Sequence, residues 1–188
     1  MNNPLFKPQA IILDRDGVVN EVVIKEGKIS SPHLPEEFVI RRDFSHFCAF
    51  LFHLQVPVFV ASNQPDVKRG LMSEMALAAM TKQLCGEYPI IQEVLYCLHD
   101  DIDACACRKP KPGLLQALIE EHRLAKETTL FIGDSLKDVL AGQSAGLKTV
   151  FLRKNYNQAS LQLCQPDIIV SELMELTSMF TSKEGTHV

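Results

Sequence analysis

The chain has 188 residues, 46% of them apolar and 22% charged, with a formal net charge of −4. That size fits one domain with an adequate core, and the composition is that of an ordinary globular protein. The acidic balance supplies no global basic field for nucleic acid, and no apolar run is long enough to span a bilayer. Met1-Asn2-Asn3-Pro4 does not open a basic-then-apolar leader, so the expected location is the cytoplasm.

Ala10-Ile11-Ile12-Leu13 is a short apolar run that reads as a buried parallel strand. Asp14-Arg15-Asp16-Gly17 follows, placing two carboxylates at the carboxyl end of that strand, where open α/β sheets bind their ligands. Such a pair repels unless a cation or a reaction uses it. It points to a Mg²⁺ site, to a nucleophile beside a general acid, or to both; a plain Asp/Gly turn is the competing reading. Asn20–Phe38 is irregular and reads as a substrate-facing loop or a simple connection. A helix is predicted over Asp43–Leu54 and a strand over Pro57–Ala61. Ser62-Asn63-Gln64 then offers a hydroxyl and an amide suited to phosphate oxygens, or a polar turn. Lys68-Arg69 is a cationic pair for a second anion, or a solvated one.

Ser73 is a good N-cap for a helix running to Gly86, and Glu93–Cys97 reads as the next strand. Arg108-Lys109-Pro110-Lys111-Pro112-Gly113 carries three cations immediately before a helix over Gly113–His122. Lys109 and that helix N-terminus together would favour a phosphate dianion. After the strand Leu130–Ile132 come Gly133-Asp134-Ser135 and then Asp138. In a parallel sheet Asp134 shares an edge with Asp14 and Asp16. It can complete a Mg²⁺ oxygen set with Asp14 and the backbone carbonyl of Asp16. Asp138, one turn on, can ligate through water, orient Lys109 or cap its helix. A helix over Lys137–Ala145 with Gly146 at its C-terminus, strands at Thr149–Leu152 and Ile168–Val170, and a helix over Ser171–Met179 complete the pattern. Residues 181–188 are predicted to be a flexible tail. Strands alternating with helices give an α/β class with a parallel sheet covered on both faces.

Cys97-Leu98-His99 and Cys105-Ala106-Cys107 form the pattern C-x-H-x₅-C-x-C. Three thiolates and one imidazole suit tetrahedral Zn²⁺, and a closed four-ligand set is structural rather than catalytic. The short acidic segment between the halves buries little apolar surface, so a metal would supply its order. Cys48, Cys85 and Cys164 read as small buried residues. His33, His46, His53 and His122 lack such company and are assigned to surface or packing roles.

Four motifs in this order, each after a strand, resemble the haloacid dehalogenase-like phosphatase superfamily: D-R-D-G at Asp14–Gly17, S-N-Q at Ser62–Gln64, R-K-P at Arg108–Pro110 and G-D-S-x-x-D at Gly133–Asp138. The resemblance covers roughly Ala10 to Leu152. It implies a single-domain, Rossmann-like three-layer sandwich over residues 1–188, with small loop insertions, a zinc loop at 97–107 and no large cap domain. It also implies Mg²⁺-dependent phosphomonoester hydrolysis. Asp14 would be the nucleophile and Asp16 the general acid/base; Ser62, Asn63, Arg108 and Lys109 would bind phosphate or substrate; Mg²⁺ would sit on Asp14, Asp16 and Asp134.

Cys105–Gly113 further resembles the zinc loop of one branch, which contains D-glycero-D-manno-heptose 1,7-bisphosphate phosphatases and histidinol-phosphate phosphatases. Pro110-Lys111-Pro112-Gly113 and Asn63-Gln64 followed by Arg69-Gly70 lean toward the heptose enzymes of lipopolysaccharide precursor synthesis. Histidinol phosphate is the alternative substrate, and a zinc-stabilised binding module the non-enzyme alternative. The departures are Ser62 for Thr, Pro65-Asp66 for Ser-Gly, Leu98 for Pro, Ser135 for Lys, and an atypical segment after Asn20. The implied partner is a small sugar bisphosphate, with neither nucleic acid nor membrane, and the chain is expected to be a monomer.

Overall fold

The structure is a computed structural model, and it describes residues 7–180. The tail predicted at 181–188 lies outside those residues. Six strands form one parallel sheet: β1 (Ala10–Leu13), β4 (Val58–Asn63), β5 (Ile91–Cys97), β6 (Thr129–Gly133), β7 (Lys148–Leu152) and β8 (Ile168–Val170). Their spatial order is β5-β4-β1-β6-β7-β8. β1 therefore lies inside the sheet, paired in parallel with β4 through Ile11–Val58 and with β6 through Ile11–Leu130. The chain order reverses on either side of β1, which opens a crevice at the carboxyl ends of β1, β4 and β6.

Period-two alternation splits the strand side chains between two cores. Ile11, Leu13, Val58, Val60, Leu130 and Ile132 face one layer, with Phe44, Phe47 and Leu51 of α1 (Arg42–His53) and Leu77, Met80 and Leu84 of α3 (Glu74–Glu87). Ala10, Ile12, Phe59, Ala61 and Phe131 face the other, with Leu115 and Leu118 of α4 (Gly113–His122) and Ala141 and Ala145 of α5 (Leu136–Ala145). The three-layer sandwich is thus the observed architecture. Ser73 caps α3 as expected, its Oγ accepting from Ala76 N–H at 3.0 Å, and Gly146 closes α5 at φ 78°.

The loop Asn20–Phe38 contains an unpredicted hairpin, β2 (Val23–Lys25) and β3 (Lys28–Ser30), closed by Glu26 and Gly27 at φ 51° and 74°. Two successive positive φ values make a two-residue primed turn, which matches the twist of paired strands. Among the described residues this hairpin is the folded insertion between β1 and α1, and no large cap domain is present. Two short helices, α2 (Pro65–Lys68) and α6 (Gln158–Gln162), were also not predicted. The helix predicted over Ser171–Met179 is instead a 3₁₀ turn at Leu173–Leu176 followed by α7 (Thr177–Phe180). Glu175 Oε1 accepts from the Ser171 and Glu172 amides at 2.9 and 3.0 Å, which keeps the first residues out of the helix.

α5 lies close on the sheet at Gly142, where a Cβ would fall 2.5 Å from Thr149 Cγ2 and 3.1 Å from Phe131 Cδ1. Gly142→Ala is therefore expected to destabilise the fold by about 1–3 kcal/mol through overpacking. Urea denaturation measures it. A gain in stability, as helix propensity alone would give, would contradict this packing.

Candidate active site

Because β1 lies between β4 and β6, Asp14, Ser62 and Asp134 emerge beside one another at a single edge. Lys109 reaches the same point from the loop between β5 and α4. Asp14, Asp16, Ser62, Asn63, Arg108, Lys109, Asp134 and Asp138 all line one cleft of about 880 Å³.

Lys109 is the centre of the arrangement. It is only 2% exposed, and its Nζ lies 2.8 Å from Asp14 Oδ1 and 2.6 Å from Asp138 Oδ1. Burial alone would discharge the ammonium, but Asp138 and Asp14 outweigh it and raise its pKa. Asn63 braces the lysine from below: its Nδ2 donates to Lys109 O, and its Oδ1 accepts from Lys109 N–H, both at 3.0 Å. Its amide, read from the sequence as a phosphate ligand, is thus engaged first with Lys109; a second N–H remains on the same nitrogen. Ser62 is buried, and its Oγ accepts from Gln64 Nε2 at 3.1 Å.

Asp138 both pairs with Lys109 and caps its helix. One oxygen pairs with Lys109, and the other accepts from Ser135 N–H at 3.0 Å and Ser135 Oγ at 2.5 Å, capping α5. This closeness requires residue 133 to be glycine, since a Cβ there would lie 2.2 Å from Asp138 Cβ.

Asp14 Oδ1 accepts from Arg15 N–H at 2.7 Å as well as pairing with Lys109. Burial pushes its pKa up to about 6 despite the opposing lysine. Asp134 is buried and forms no ion pair among the described residues; its Oδ2 accepts from Tyr156 Oη at 2.7 Å. Burial, then the charges of Asp138 and Asp14, push it up to about 8. Oxygens of Asp14, Asp134 and Asp138 all lie within 4.8 Å of one another. Three acids facing one lysine form a hard-oxygen set short of positive charge, which fits a small divalent cation.

Asp16 has the opposite surroundings. Its Oδ1 accepts from Arg15 Nε and Asn20 Nδ2, both at 3.0 Å, and its Oδ2 from Gln64 Nε2 at 2.7 Å and Ser31 Oγ at 2.9 Å. Burial would raise its pKa, but Arg15 and then Gln64, Asn20 and Ser31 hold it below the ordinary value. Arg15 is itself fully buried, with Phe38 and Tyr96 rings 5.6 and 5.7 Å from its guanidinium carbon.

The predicted cysteine–histidine set also comes together. Cys97 Sγ lies 3.1 Å from Cys107 Sγ and 3.6 Å from Cys105 Sγ, and His99 Nδ1 lies 3.3 Å from Cys107 Sγ. Sulfurs held about 2.3 Å from a tetrahedral zinc would be about 3.7 Å apart, so the cluster fits that ion with small adjustment. Ion pairs fasten this loop from outside. Arg69 meets Asp100 at 2.5 Å and Asp66 at 3.1 Å, Lys68 meets Asp103, and Arg108 meets Asp101 at 2.7 Å. Lys68 and Arg69 thus serve the loop's own acids in this state. The α4 N-terminus, expected to face phosphate, instead gives its Gly113 N–H to Ala106 O at 3.2 Å. Sequence reasoning also missed His33, which lines the cleft with its Nε2 2.8 Å from Asp66 Oδ2. It missed Tyr156 and Asn157 beside Asp134 as well; no spacing links them to the motifs.

The HAD-hydrolase-like family profile matches residues 106–176. The D-glycero-beta-D-manno-heptose-1,7-bisphosphate 7-phosphatase of Pseudomonas putida is 31% identical over 164 residues, covering 84% of this chain and 89% of that one. The D-glycero-alpha-D-manno-heptose-1,7-bisphosphate 7-phosphatase of Campylobacter jejuni is 29% identical over 158 residues, covering 78% and 83%. The crystal structure of D,D-heptose 1,7-bisphosphate phosphatase from B. bronchiseptica, complexed with magnesium and phosphate, aligns at a TM-score of 0.80 with 25% identity, covering 90% and 96%.

Removing the buried cation should expose what it holds. Lys109→Met leaves Asp14 and Asp138 without their partner and is expected to cost about 3–5 kcal/mol of stability. Chemical denaturation without added Mg²⁺ measures it. Unchanged stability would mean the acids do not depend on this lysine.

Proposed function

The chain belongs to the haloacid dehalogenase-like hydrolases and is a phosphatase, and we propose that it removes the 7-phosphate of D-glycero-D-manno-heptose 1,7-bisphosphate through an aspartyl-phosphate on Asp14. The observation that carries the reaction is the free oxygen of Asp14, Oδ2, in a cleft where Lys109 neutralises the other oxygen. The heptose bisphosphate phosphatases of P. putida and C. jejuni support the substrate. So does a cleft of about 880 Å³ with Arg108, Lys28 and Lys137 along its walls, which suits a sugar carrying a second phosphate.

In this reading Asp14 Oδ2 attacks phosphorus, and the bond from phosphorus to the sugar oxygen breaks. The departing oxygen takes a proton from Asp16, whose protonated form the substrate's phosphate dianion favours by like-charge repulsion. Water then attacks the aspartyl-phosphate, returns a proton to Asp16 and releases inorganic phosphate. Arg15 and the donors around Asp16 stabilise its ionised form, which is the form that accepts this second proton. Ser62, Lys109 and the remaining N–H of Asn63 hold the phosphoryl oxygens as charge moves among them. Arg108 contacts the substrate, exchanging Asp101 for an anionic group. Asp14, Asp134 and the carbonyl of Asp16 would hold Mg²⁺, which when bound offsets the repulsion between carboxylate and phosphate.

We further assign a structural Zn²⁺ to Cys97, His99, Cys105 and Cys107, whose closed set leaves no position for substrate. Among the described residues no helix is long and apolar enough to cross a membrane. A polar phosphate ester substrate supports a cytoplasmic enzyme.

The deciding experiment compares kcat/KM for heptose 1,7-bisphosphate and histidinol phosphate at equal Mg²⁺, with Asp14→Asn as the blank. The heptose ester is expected to be preferred, and the blank to be inactive. Preference for histidinol phosphate would overturn the substrate, and turnover by Asp14→Asn would overturn the mechanism. Elemental analysis is expected to find one zinc per chain, lost in Cys107→Ser, whose Tm should fall further than that of Cys85→Ser. Full zinc content in Cys107→Ser would remove that residue from the ligand set.

A further inference from the structure

The loop that follows β7 takes no part in the chemistry above, yet it grips Asp134 twice. Tyr156 Oη donates to Asp134 Oδ2 at 2.7 Å, and Asn157 Nδ2 donates to the Asp134 main-chain oxygen at 2.8 Å. Asn157 is 5% exposed and is fixed from both ends: its Nδ2 also donates to Leu152 O at 2.9 Å, and its Oδ1 accepts from Lys154 N–H at 2.8 Å. The loop is thereby tied to the end of β7 and to the residue after β6 at once.

Asp134 needs such a partner more than the other acids do. Lys109 pairs with Asp14 and Asp138, and Ser135 gives its N–H and hydroxyl to Asp138. Among the described residues the Tyr156 hydroxyl is the one hydrogen-bond donor to the Asp134 carboxylate. The terminal torsion of an aspartate is broad and roughly two-fold, so without that donor the plane of the carboxylate is weakly set. With Oδ2 held, Oδ1 remains without a hydrogen bond beside the other acids. Close approach of the three groups also depends on residue 17: a Cβ on Gly17 would lie 2.2 Å from Asp134 Oδ2 and 2.6 Å from Tyr156 Oη.

We propose that Tyr156, anchored by Asn157, is a positioning residue for the divalent-cation site, holding one oxygen of Asp134 so that the other is presented to the metal. The proposal rests on the reading of Asp14 and Asp134 as the Mg²⁺ ligands. Partners that orient a ligating carboxylate change metal affinity by about 10–100-fold when removed. Tyr156 is 41% exposed, so its replacement by phenylalanine leaves the packing almost unaltered.

The test is Mn²⁺ binding followed by electron paramagnetic resonance, on the full chain with its Cys/His site undisturbed, for wild type, Tyr156→Phe and Asp134→Asn. Tyr156→Phe is expected to raise the Mn²⁺ Kd about tenfold while the Tm without Mn²⁺ stays at the wild-type value. Excess Mg²⁺ is expected to displace the Mn²⁺ signal in all forms that bind it. Equal Kd values for wild type and Tyr156→Phe would overturn the proposal. Weaker binding accompanied by a clear drop in metal-free Tm would also overturn it, because Tyr156 would then serve the fold. If wild type and Asp134→Asn bind Mn²⁺ alike, the magnesium reading falls, and this inference falls with it.

Discussion

An almost fully buried lysine at the floor of the cleft holds this site together. Lys109 must keep its charge at 2% exposure, and it can do so only because Asp14 and Asp138 close on it at 2.8 and 2.6 Å. The dependence is mutual. Two carboxylates cannot share a buried sheet edge with a third, Asp134, unless a cation stands among them. Much else near the crevice serves this contact. Gly133 lacks a side chain so that Asp138 can approach, Ser135 engages the outer oxygen of Asp138, and Asn63 binds both polar atoms of the Lys109 backbone. One lysine still leaves the acids short of positive charge, a shortfall that a divalent cation would fill.

The cysteine–histidine loop extends the same constraint outward. It runs directly into Arg108 and Lys109, and its acidic residues pair with Lys68, Arg69 and Arg108. A segment with so little apolar surface has no core to order it. A metal held by the four Cys/His side chains would, with the outer ion pairs, replace packing in fixing where Lys109 begins. The ion pairs are individually weak, so a metal on the Cys/His set would carry most of that order.

Asp14 and Asp16 are one residue apart in sequence and opposite in environment. Asp14 sits in a crowd of acids and is pushed toward neutrality, whereas Asp16 is surrounded by donors from Arg15, Asn20, Gln64 and Ser31 and is held ionised. Ser31 directly follows the β2–β3 hairpin, so the small insertion at the cleft is linked by a hydrogen bond to Asp16. A divalent cation held by Asp14 and Asp134 would favour the ionised form of Asp14.

The sequence by itself determined the sheet, its helices and the chemistry-bearing strand ends. Short apolar runs alternating with helices are best satisfied as buried parallel strands, and the residues that follow such strands meet at one edge. The Cys/His set was legible for a similar reason, since four ligand side chains in eleven positions have little alternative use. The hairpin was not legible, because Glu26 is a poor signal for the left-handed backbone its turn requires. Nor was the bracing role of Asn63, the pairing of Arg69 with Asp100, the capping of α4 by Ala106, or the contact of Tyr156 with Asp134. Most of these join residues distant along the chain, and no local periodicity encodes which donor reaches which acceptor. Only the tertiary structure decided those contacts, since they depend on how the loops close over the edge once the sheet has formed.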